Sequence, residues 1–551
     1  MPHLRRAALF FGFTAAFVQV WPAAARNADQ TGGESFSETV DVRVINLEAV
    51  VEDEHGNRVQ GLGIGDFEIL IDGKAQAPGY FTEVQDGLLP AEAPGAASPP
   101  GIAGLDSPAA TSEGEAPRRR LPTSYLVFFD LLLSDPRDAF YAAEQLAADF
   151  EQLPADDQIA VFAFDGVQLH RLADWNDGRA DQLAALRGLK MLRSGAAGAL
   201  GDTVATDSLA RLLTEDDRTA SIIEVAQRLG RRMDATLAAA ATAMQAASPP
   251  PGRRVLISFS GNWPRDFAVF YGVATDPLYS QPVRNSFPKA SYRQLYETAN
   301  RLGYTLYTTD LFRPRAAGGA EIGEVQAARN YQQVGADRDF ERNLTLGKFA
   351  DETGGRAFLN GWKNSALDEI RDDVASFYWL GFDAPRRHDG KSYQLEVKVN
   401  KPGLKVRSRR QYSDPSRQAE VDQELAGRLL FGSASDRQDF KVTTGEPRRK
   451  GGEMTLPVSL RIPLEEVYFK PQGKGWRADL ELRIATIDER GGRSEMPSIP
   501  VKLDGPKPQP GQYATYETAL RLNRKSSRFV LGIFDTRTSR LLVSTVHLAG
   551  S

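Results

Sequence analysis

Apolar and polar residues alternate near the amino end of the chain, which is typical of half-buried β-strands. Between residues 36 and 85 the alternation is interrupted by a turn over Glu54–Asn57. It stops again at Asp72-Gly73, a dipeptide that favours tight hairpin turns. This pattern predicts a small N-terminal β-rich module.

The alternation returns near the carboxyl end. Residues 384–413 predict a β extension that packs with the middle domain or with the N-terminal module, and residues 414–551 predict a β-sandwich-like domain that begins with a short helix at Arg417–Leu430. Its strands are expected at Met454–Ile462, Trp476–Ile487, Ser498–Leu503, Tyr516–Leu522, Arg528–Phe534 and Leu541–Leu548.

Residues 121–383 have a different pattern, in which continuous apolar runs alternate with amphipathic stretches. This arrangement predicts an α/β domain whose mainly parallel sheet is covered by helices on both faces. The expected strands are Tyr125–Asp130, Gln158–Phe164, Arg254–Ser260 and Tyr304–Asp310, and the expected helices are Ala139–Leu153, Ala220–Met244, Tyr292–Leu302, Leu344–Glu352 and Leu367–Val374.

An aromatic run at Phe377–Phe382 is followed by an alternating stretch at Tyr393–Val399, and His388–Gly390 is a turn sequence that would join them as paired strands. The aromatic residues have two interpretations, a binding platform for carbohydrate or protein and a packed core. Alternation along a strand favours the core.

Two segments are expected to lie outside the folded modules. Residues 86–120 are rich in Pro, Ala and Gly and contain few large apolar residues, which predicts a linker. Residues 1–25 combine Arg5-Arg6, an apolar run and Ala23-Ala24-Ala25, which is the pattern of a cleaved export signal. A periplasmic or secreted location follows, with no membrane span after signal removal, although an uncleaved anchor is the alternative interpretation.

Composition narrows the possible functions. The chain has 551 residues, a formal net charge of −5 and no cysteine. The charge gives no positive field for a phosphate backbone, so nucleic acid is not an expected partner. The absence of cysteine excludes disulfides, thiolate metal sites and thiol nucleophiles. The five histidines show no metal-binding spacing, and a nucleophile elbow is missing, so the sequence does not predict an enzyme.

Four separated blocks resemble the exported von Willebrand factor A-related domain proteins of the Acidobacterial type. They are Val50–Glu83, Pro251–Pro264, Thr353–Ala357 and Tyr378–Tyr412, in the order that this family shows. The resemblance implies a multidomain protein in which an α/β von Willebrand A-type domain, with a Rossmann-like and mainly parallel sheet, is flanked by β-rich Ig-like or sandwich modules.

Many von Willebrand A domains bind Mg²⁺ through a D-x-S-x-S loop, a Thr and an Asp from two later loops, and a carboxylate from the ligand. Asp130 and Ser134 match the first loop, but Leu132 stands where a hydroxyl ligand is expected. Ser260-Gly261 stands where metal-binding relatives have Asp-Gly. We therefore expect a degenerate site, with no cofactor or with Mg²⁺ held at Asp130 and Ser134.

Open α/β sheets place their ligands outside the carboxyl ends of the strands. The expected crevice is lined by residues of three loops, namely Asp135, Asp138, Thr203, Thr206, Ser260 and Asn262. Asp135 and Asp138 are equally suited to the amino end of a helix. The sequence thus predicts an adhesion or scaffold protein that binds a protein or another envelope macromolecule, in an unknown oligomeric state. An envelope hydrolase and a purely structural component are the alternatives.

Overall fold

A computed structural model describes residues 42–90, 119–192, 215–247, 249–261, 263–270, 281–287, 289, 292–311, 340, 343–359, 366–385, 387–430, 438–473, 475–488, 496–523 and 526–548. These residues divide into two compact units, one within Val40–Ser435 and one within Asp436–Ser551. The predicted signal at 1–25 and residues 91–118 of the predicted linker lie outside the described residues. The two ends of that linker pair as short strands, β5 (Leu88–Leu89) and β6 (Arg119–Arg120).

A β-sandwich in the first unit is built from two stretches that are far apart in the sequence. Its strands are β1 (Val42–Glu52), β2 (Phe67–Ile71), β3 (Lys74–Gln76), β4 (Tyr80–Val84), β13 (Phe377–Pro385), β14 (Lys391–Val399), β15 (Lys405–Arg407) and β16 (Gln411–Asp414). One sheet has the order β15-β1-β13-β4 and the other has the order β16-β14-β2-β3.

The long pairing of β1 with β13 holds this sandwich together. It runs antiparallel from Val42 opposite Pro385 to Ala49 opposite Tyr378. Alternate residues of both strands, among them Leu47 and Leu380, are buried against the second sheet. The stretches predicted as an N-terminal module and as a β extension therefore form one domain. Phe377–Phe382, which was predicted within the α/β domain, belongs to this sandwich instead.

The predicted hairpin between Phe377–Phe382 and Tyr393–Val399 is wrong. β13 and β14 lie in different sheets, so the turn carries the chain from one sheet to the other. His388 has a positive φ of 49°, and the Asp414 carboxylate accepts the amides of Arg387 and His388 at 2.6 and 2.8 Å. The aromatic residues are buried, as the core interpretation predicted.

The α/β part of the first unit is inserted between β5 and β13. Its strands are β7 (Thr123–Asp130), β8 (Gln158–Phe164), β9 (Leu169–Ala173), β10 (Arg253–Ser260), β11 (Tyr304–Asp310) and β12 (Arg356–Phe358). The sheet order is β12-β11-β10-β7-β8-β9, and all neighbours are parallel except β9, which is antiparallel to β8. The sheet is therefore mixed, with its topological switch point between β7 and β10.

Helices cover both faces of this sheet. They are α1 (Pro136–Phe150), α2 (Arg179–Arg187), α3 (Glu215–Ala246), α4 (Phe267–Phe270), α5 (Gln281–Asn285), α6 (Arg293–Leu302), α7 (343–353), α8 (Ala366–Ala375) and α9 (Arg417–Leu430). α1 and α8 share one core cluster with alternate residues of β7, β8 and β10. α3 contacts β7, α6 contacts β11, and α9 packs against α3. α9 thus lies in the first unit, although it was predicted to open the C-terminal domain.

The Thr353-Gly354-Gly355 block ends α7 at a very close backbone approach. A Cβ atom on Gly355 would lie 1.8 Å from the Leu306 carbonyl oxygen, and Gly354 has a positive φ of 81°. The Thr353 hydroxyl lies 3.0 Å from the amide of Leu306 and from the carbonyl oxygen of Phe349. Only glycine fits at position 355, where the chain passes the backbone of β11 after α7.

Buried ion pairs join the sandwich to the amino edge of the α/β sheet. Arg253, the first residue of β10, is buried with its guanidinium 3.1 Å from Glu48 of β1 and 4.2 Å from the ring centre of Phe377. The Thr305 hydroxyl of β11 donates to the same carboxylate at 3.0 Å. The sandwich therefore lies at the opposite edge of the sheet from the carboxyl ends of its parallel strands.

Asp373 of α8 is the centre of a second set of ion pairs at this joint. Its fully buried carboxylate accepts from Arg407 at 2.7 Å, from Tyr307 at 2.9 Å and from Arg356 at 3.3 Å, and it also pairs with Arg58. Burial alone would raise the pKa of Asp373, but these guanidinium groups hold it below its ordinary value.

The second unit is a two-sheet sandwich. Its strands are β17 (Lys441–Thr444), β18 (Arg448–Lys450), β19 (Glu453–Pro463), β20 (Lys470–Gln472), β21 (Gly475–Asp488), β22 (Ser498–Gly505), β23 (Tyr513–Asn523), β24 (Ser526–Asp535) and β25 (Leu541–His547). β19 pairs with β17, β18 and β23, and β21 pairs with β20, β22 and β24. All six strands predicted in this region are present, and the inward residues of both sheets form one core.

We predict that Asp373→Asn lowers the free energy of unfolding by about 3–5 kcal/mol, because three guanidinium groups lose the buried charge that neutralises them. Urea unfolding followed by tryptophan fluorescence measures this loss. Asp368→Asn is the matched control, because Asp368 lies on the same helix, is exposed and pairs with Arg371 at 3.6 Å, so the change should cost under about 1 kcal/mol. Equal losses for the two variants would contradict the role of Asp373.

Candidate functional site

The carboxyl ends of three neighbouring parallel strands carry buried polar residues. Asp130 ends β7, Ser260 ends β10 and Asp310 ends β11, and Ser260 lies opposite Asp310 in the ladder. The switch point of the sheet lies between β7 and β10, and ligands of open α/β sheets bind at such points. This edge is therefore the candidate binding crevice.

The Asp130 carboxylate is fully buried and receives hydrogen bonds from the protein on both oxygens. Oδ1 accepts the amides of Leu132 and Leu133 at 3.1 and 3.0 Å. Oδ2 accepts the Ser260 hydroxyl and the Trp263 indole N–H, both at 2.9 Å. The Thr236 hydroxyl of α3 adds a longer contact to Oδ1 at 3.5 Å. Groups from two loops and one helix thus converge on this carboxylate.

Burial raises the pKa of Asp130, and the hydrogen bonds from Trp263, Leu133, Ser260 and Leu132 oppose that rise. Donors of this kind stabilise the ionised form of a carboxylate that has no contact with water. Their number explains how an acidic side chain is tolerated in the interior of the sheet edge.

Ser134 connects the loop after β7 to the loop after β10 by a hydrogen bond. Its buried hydroxyl accepts the amide of Gly261 at 2.9 Å, and a Cβ on Gly261 would lie 3.1 Å from the Leu133 carbonyl oxygen. Leu132 is buried as well, and its side chain packs against Gly166 after β8. The loop that would carry metal ligands is therefore fixed by contacts within the protein.

The other predicted crevice residues separate into two groups. Asp135 caps the amino end of α1, where its carboxylate accepts the amide of Arg137 at 2.9 Å, and Asp138 lies in the first turn of that helix. Thr203, Thr206 and Asn262 lie outside the described residues.

These residues do not match the shell that a divalent cation requires. Mg²⁺ needs oxygen ligands in near-octahedral geometry. Indole and amide N–H groups are donors only and cannot act as ligands, yet they occupy both oxygens of Asp130. Leu132 offers no oxygen, and the Ser134 hydroxyl accepts from Gly261. Within the described residues, no group of three or more His, Cys, Asp or Glu side chains is placed to hold a metal ion.

Sequence reasoning missed the roles of Trp263 and Thr236. Trp263 is buried between Phe349, at a ring-centre distance of 5.5 Å, and Tyr292, at 6.4 Å. The N–H of a buried indole needs a hydrogen-bond acceptor. Because Trp263 follows Ser260-Gly261 at the end of β10, the carboxylate at the end of the neighbouring strand β7 is a suitable acceptor. Thr236 is a polar residue in the alanine-rich part of α3, which was a weaker clue.

A histidine and a carboxylate pair beside the crevice, in the hairpin between β8 and β9. His170 Nε2 lies 2.7 Å from Asp165, and the partly exposed Asp165 also accepts the amides of Val167 and Gln168. Burial opposes a low pKa for Asp165, but the hydrogen bonds from His170 and these amides hold it below its ordinary value. In the sequence, His170 is one of five histidines that show no metal-binding spacing.

Comparisons with known proteins identify no family. No model of a known protein family matches the chain, and no curated protein matches it. Solved structures with detectable similarity include the pilus adhesin SpaC from Lactobacillus rhamnosus GG, at 7% identity and a TM-score of 0.21 over 77% of this chain. This chain spans 56% of that adhesin. The N-terminal domain of TFIIH p34 is similar at 10% identity and a TM-score of 0.16, over 41% of this chain and 98% of that one.

We predict that Trp263→Phe destabilises the protein by about 1.5–3 kcal/mol, because a donor to a buried carboxylate is lost while an aromatic ring remains. Trp175→Phe is the matched control. Trp175 is also buried, but its indole donates to a neutral carbonyl, that of Ala247, so the expected loss is about 0.5–1.5 kcal/mol. Chemical denaturation of both variants measures the difference. A Trp175→Phe loss equal to or larger than that of Trp263→Phe would count against the role of the indole.

Proposed function

We propose that this chain is an exported adhesion or scaffold protein, and that it binds a protein or another envelope macromolecule through a von Willebrand A-type α/β domain without a metal ion. We propose binding and not catalysis as its activity. The observation that carries the proposal is the saturation of Asp130 by donors of the protein itself at the switch point of the sheet.

The strand order supports the α/β assignment. Numbered from β7, the six strands follow the order 3-2-1-4-5-6, which is the doubly wound arrangement, and the third strand is antiparallel at the edge. The sequence blocks that resemble the von Willebrand A-related family map onto this sheet and onto the sandwich. The Pro251–Pro264 block spans β10 and the Trp263 loop.

The same geometry supports binding without a metal. In a cation-dependent domain the ion would connect the loop carboxylate to a carboxylate of the ligand. In this protein the loop carboxylate is Asp130, and Trp263 and Ser260 donate hydrogen bonds to it directly. Recognition then depends on the rim of the crevice, where Arg137 and Arg265 are exposed.

Export is supported by the sequence of residues 1–25 and is part of the proposal. Among the described helices, none combines the length and apolar character that a membrane span requires.

The proposal predicts that the full mature chain, immobilised and cross-linked to envelope fractions, captures the same partner in the presence and in the absence of EDTA. The double variant Arg137→Glu and Arg265→Glu, which reverses the charge of the crevice rim, should reduce this capture at least about ten-fold if two rim contacts are lost. Quantitative mass spectrometry of the captured material gives the measurement.

Lys190→Glu is the control for charge reversal. Lys190 is exposed and lies beyond α2, near the Arg187–Glu151 pair at the far end of α1 from the crevice. Capture should be unchanged in this variant. Loss of capture in EDTA, or equal loss in the rim and control variants, would contradict a metal-independent crevice.

A hydrolase is the second candidate, and the Asp165–His170 pair is the observation that favours it, because a histidine oriented by a carboxylate is a general base. The mature chain can be screened against ester, peptide and glycoside substrates. If the function is binding, the chain should show no turnover that depends on His170. Turnover that depends on His170 would replace the binding proposal with the hydrolase.

A further inference from the structure

The edge strands of the C-terminal sandwich differ in how they are protected. An exposed strand edge presents unpaired backbone groups that can pair with another chain, so proteins cover, shorten or charge their edges. β22 carries Pro500 and Lys502, and the edge of β25 is covered by Asp439, whose amide donates to Val543 at 2.9 Å. β17 and β18 are short and contain basic residues.

β23 is long and contains no proline, and its two charged residues, Glu517 and Arg521, are of opposite sign. It extends over eleven residues, Tyr513–Asn523, and pairs with β19 along its full length without a bulge. It contains neither proline nor lysine. Among the described strands, none pairs with its other edge. A long and regular edge that no other described strand covers is a template for one more antiparallel strand.

The two faces of β23 are clearly distinguished, which limits the registers available to an added strand. Odd-numbered residues from Tyr513 to Asn523 are exposed, whereas Leu520 and Leu522 are buried and Tyr516 is half-buried in the core. A strand that continues the sandwich must keep its apolar face on the core side, since a shift by one residue would reverse the faces.

A second copy of β23 meets this requirement with complementary charge. In an antiparallel pair centred on Ala519, Glu517 lies opposite Arg521 of the second copy, and Arg521 lies opposite its Glu517. Both side chains are exposed, and neither forms an ion pair with another described residue. In the same register Tyr516 faces Leu522 of the second copy, so the core continues across the new edge. A contact of this symmetry closes after two copies.

We propose that the protein forms a two-fold homodimer through antiparallel pairing of β23 with β23 of a second copy, centred on Ala519. The dimer joins the sheet that contains β19 and β23 to the same sheet of a second copy, so that the two form one continuous sheet. It does not depend on the function proposed for the α/β domain.

Cysteine cross-linking tests the register, because the chain has no native cysteine. Opposed residues in antiparallel strands have Cα atoms about 4.5–5.5 Å apart, which is within reach of a disulfide. In the full chain, Ala519→Cys should therefore form a covalent dimer with diamide. Thr515→Cys is the control on the same exposed face, because its two copies would lie eight residues apart, or about 26 Å. No dimer for Ala519→Cys, or equal cross-linking of both variants, would overturn the proposal.

Charge reversal tests the contact without cysteines. Glu517→Arg and Arg521→Glu each place like charges opposite each other, so sedimentation equilibrium of either full-length variant should show at least about ten-fold weaker dimerisation. A mixture of the two variants restores both opposite-charge pairs and should dimerise as tightly as the unmodified chain. Lys502→Glu, which makes the same charge change as Arg521→Glu on β22, should have no effect.

A monomeric unmodified chain at micromolar concentration would overturn the dimer. Dimerisation that is unchanged in both charge variants would place the interface elsewhere and would equally overturn the proposal.

Discussion

A carboxylate that is removed from water must be surrounded by donors, and two such carboxylates organise the larger unit of this protein. Asp373 forms ion pairs with Arg58, Arg356 and Arg407 where the β-sandwich meets the α/β sheet. Asp130 accepts hydrogen bonds from two loops and a helix at the carboxyl edge of that sheet. The first carboxylate joins two layers of structure that are distant in the sequence, and the second fixes the loops of the crevice.

The two ends of the α/β sheet consequently have different roles. Arg253 and Thr305 stand at the beginning of β10 and β11 and bind Glu48 of the sandwich. Ser260 and Asp310 end the same strands at the crevice. Because the sandwich contacts the amino edge, it does not cover the carboxyl edge, where the described loops of the crevice lie. This separation is consistent with the binding function that we propose, in which loops carry the recognition surface.

Local sequence patterns predicted most of the helices and strands, because the periodicity of a helix or a strand is visible among residues that are close in the sequence. Continuous apolar runs located β7, β8, β10 and β11, and alternation located the strands of the C-terminal sandwich. Pairing between distant strands has no such local record. The match of β1 with β13 was therefore missed, and the turn at His388 was taken for a hairpin although it connects two sheets. β9 and β12 were missed because they are short edge strands.

The candidate site was predictable in part for the same reason. Leu132 and Ser260 departed visibly from a metal-binding pattern, but the groups that satisfy Asp130 come from Trp263 and Thr236, whose approach depends on packing. We propose that these donors replace a cation. Calorimetric titration of Mg²⁺ and of Mn²⁺ into the full chain and into Asp130→Ala tests it most directly. The account predicts no uptake by either protein, and uptake by the unmodified chain that Asp130→Ala abolishes would contradict it.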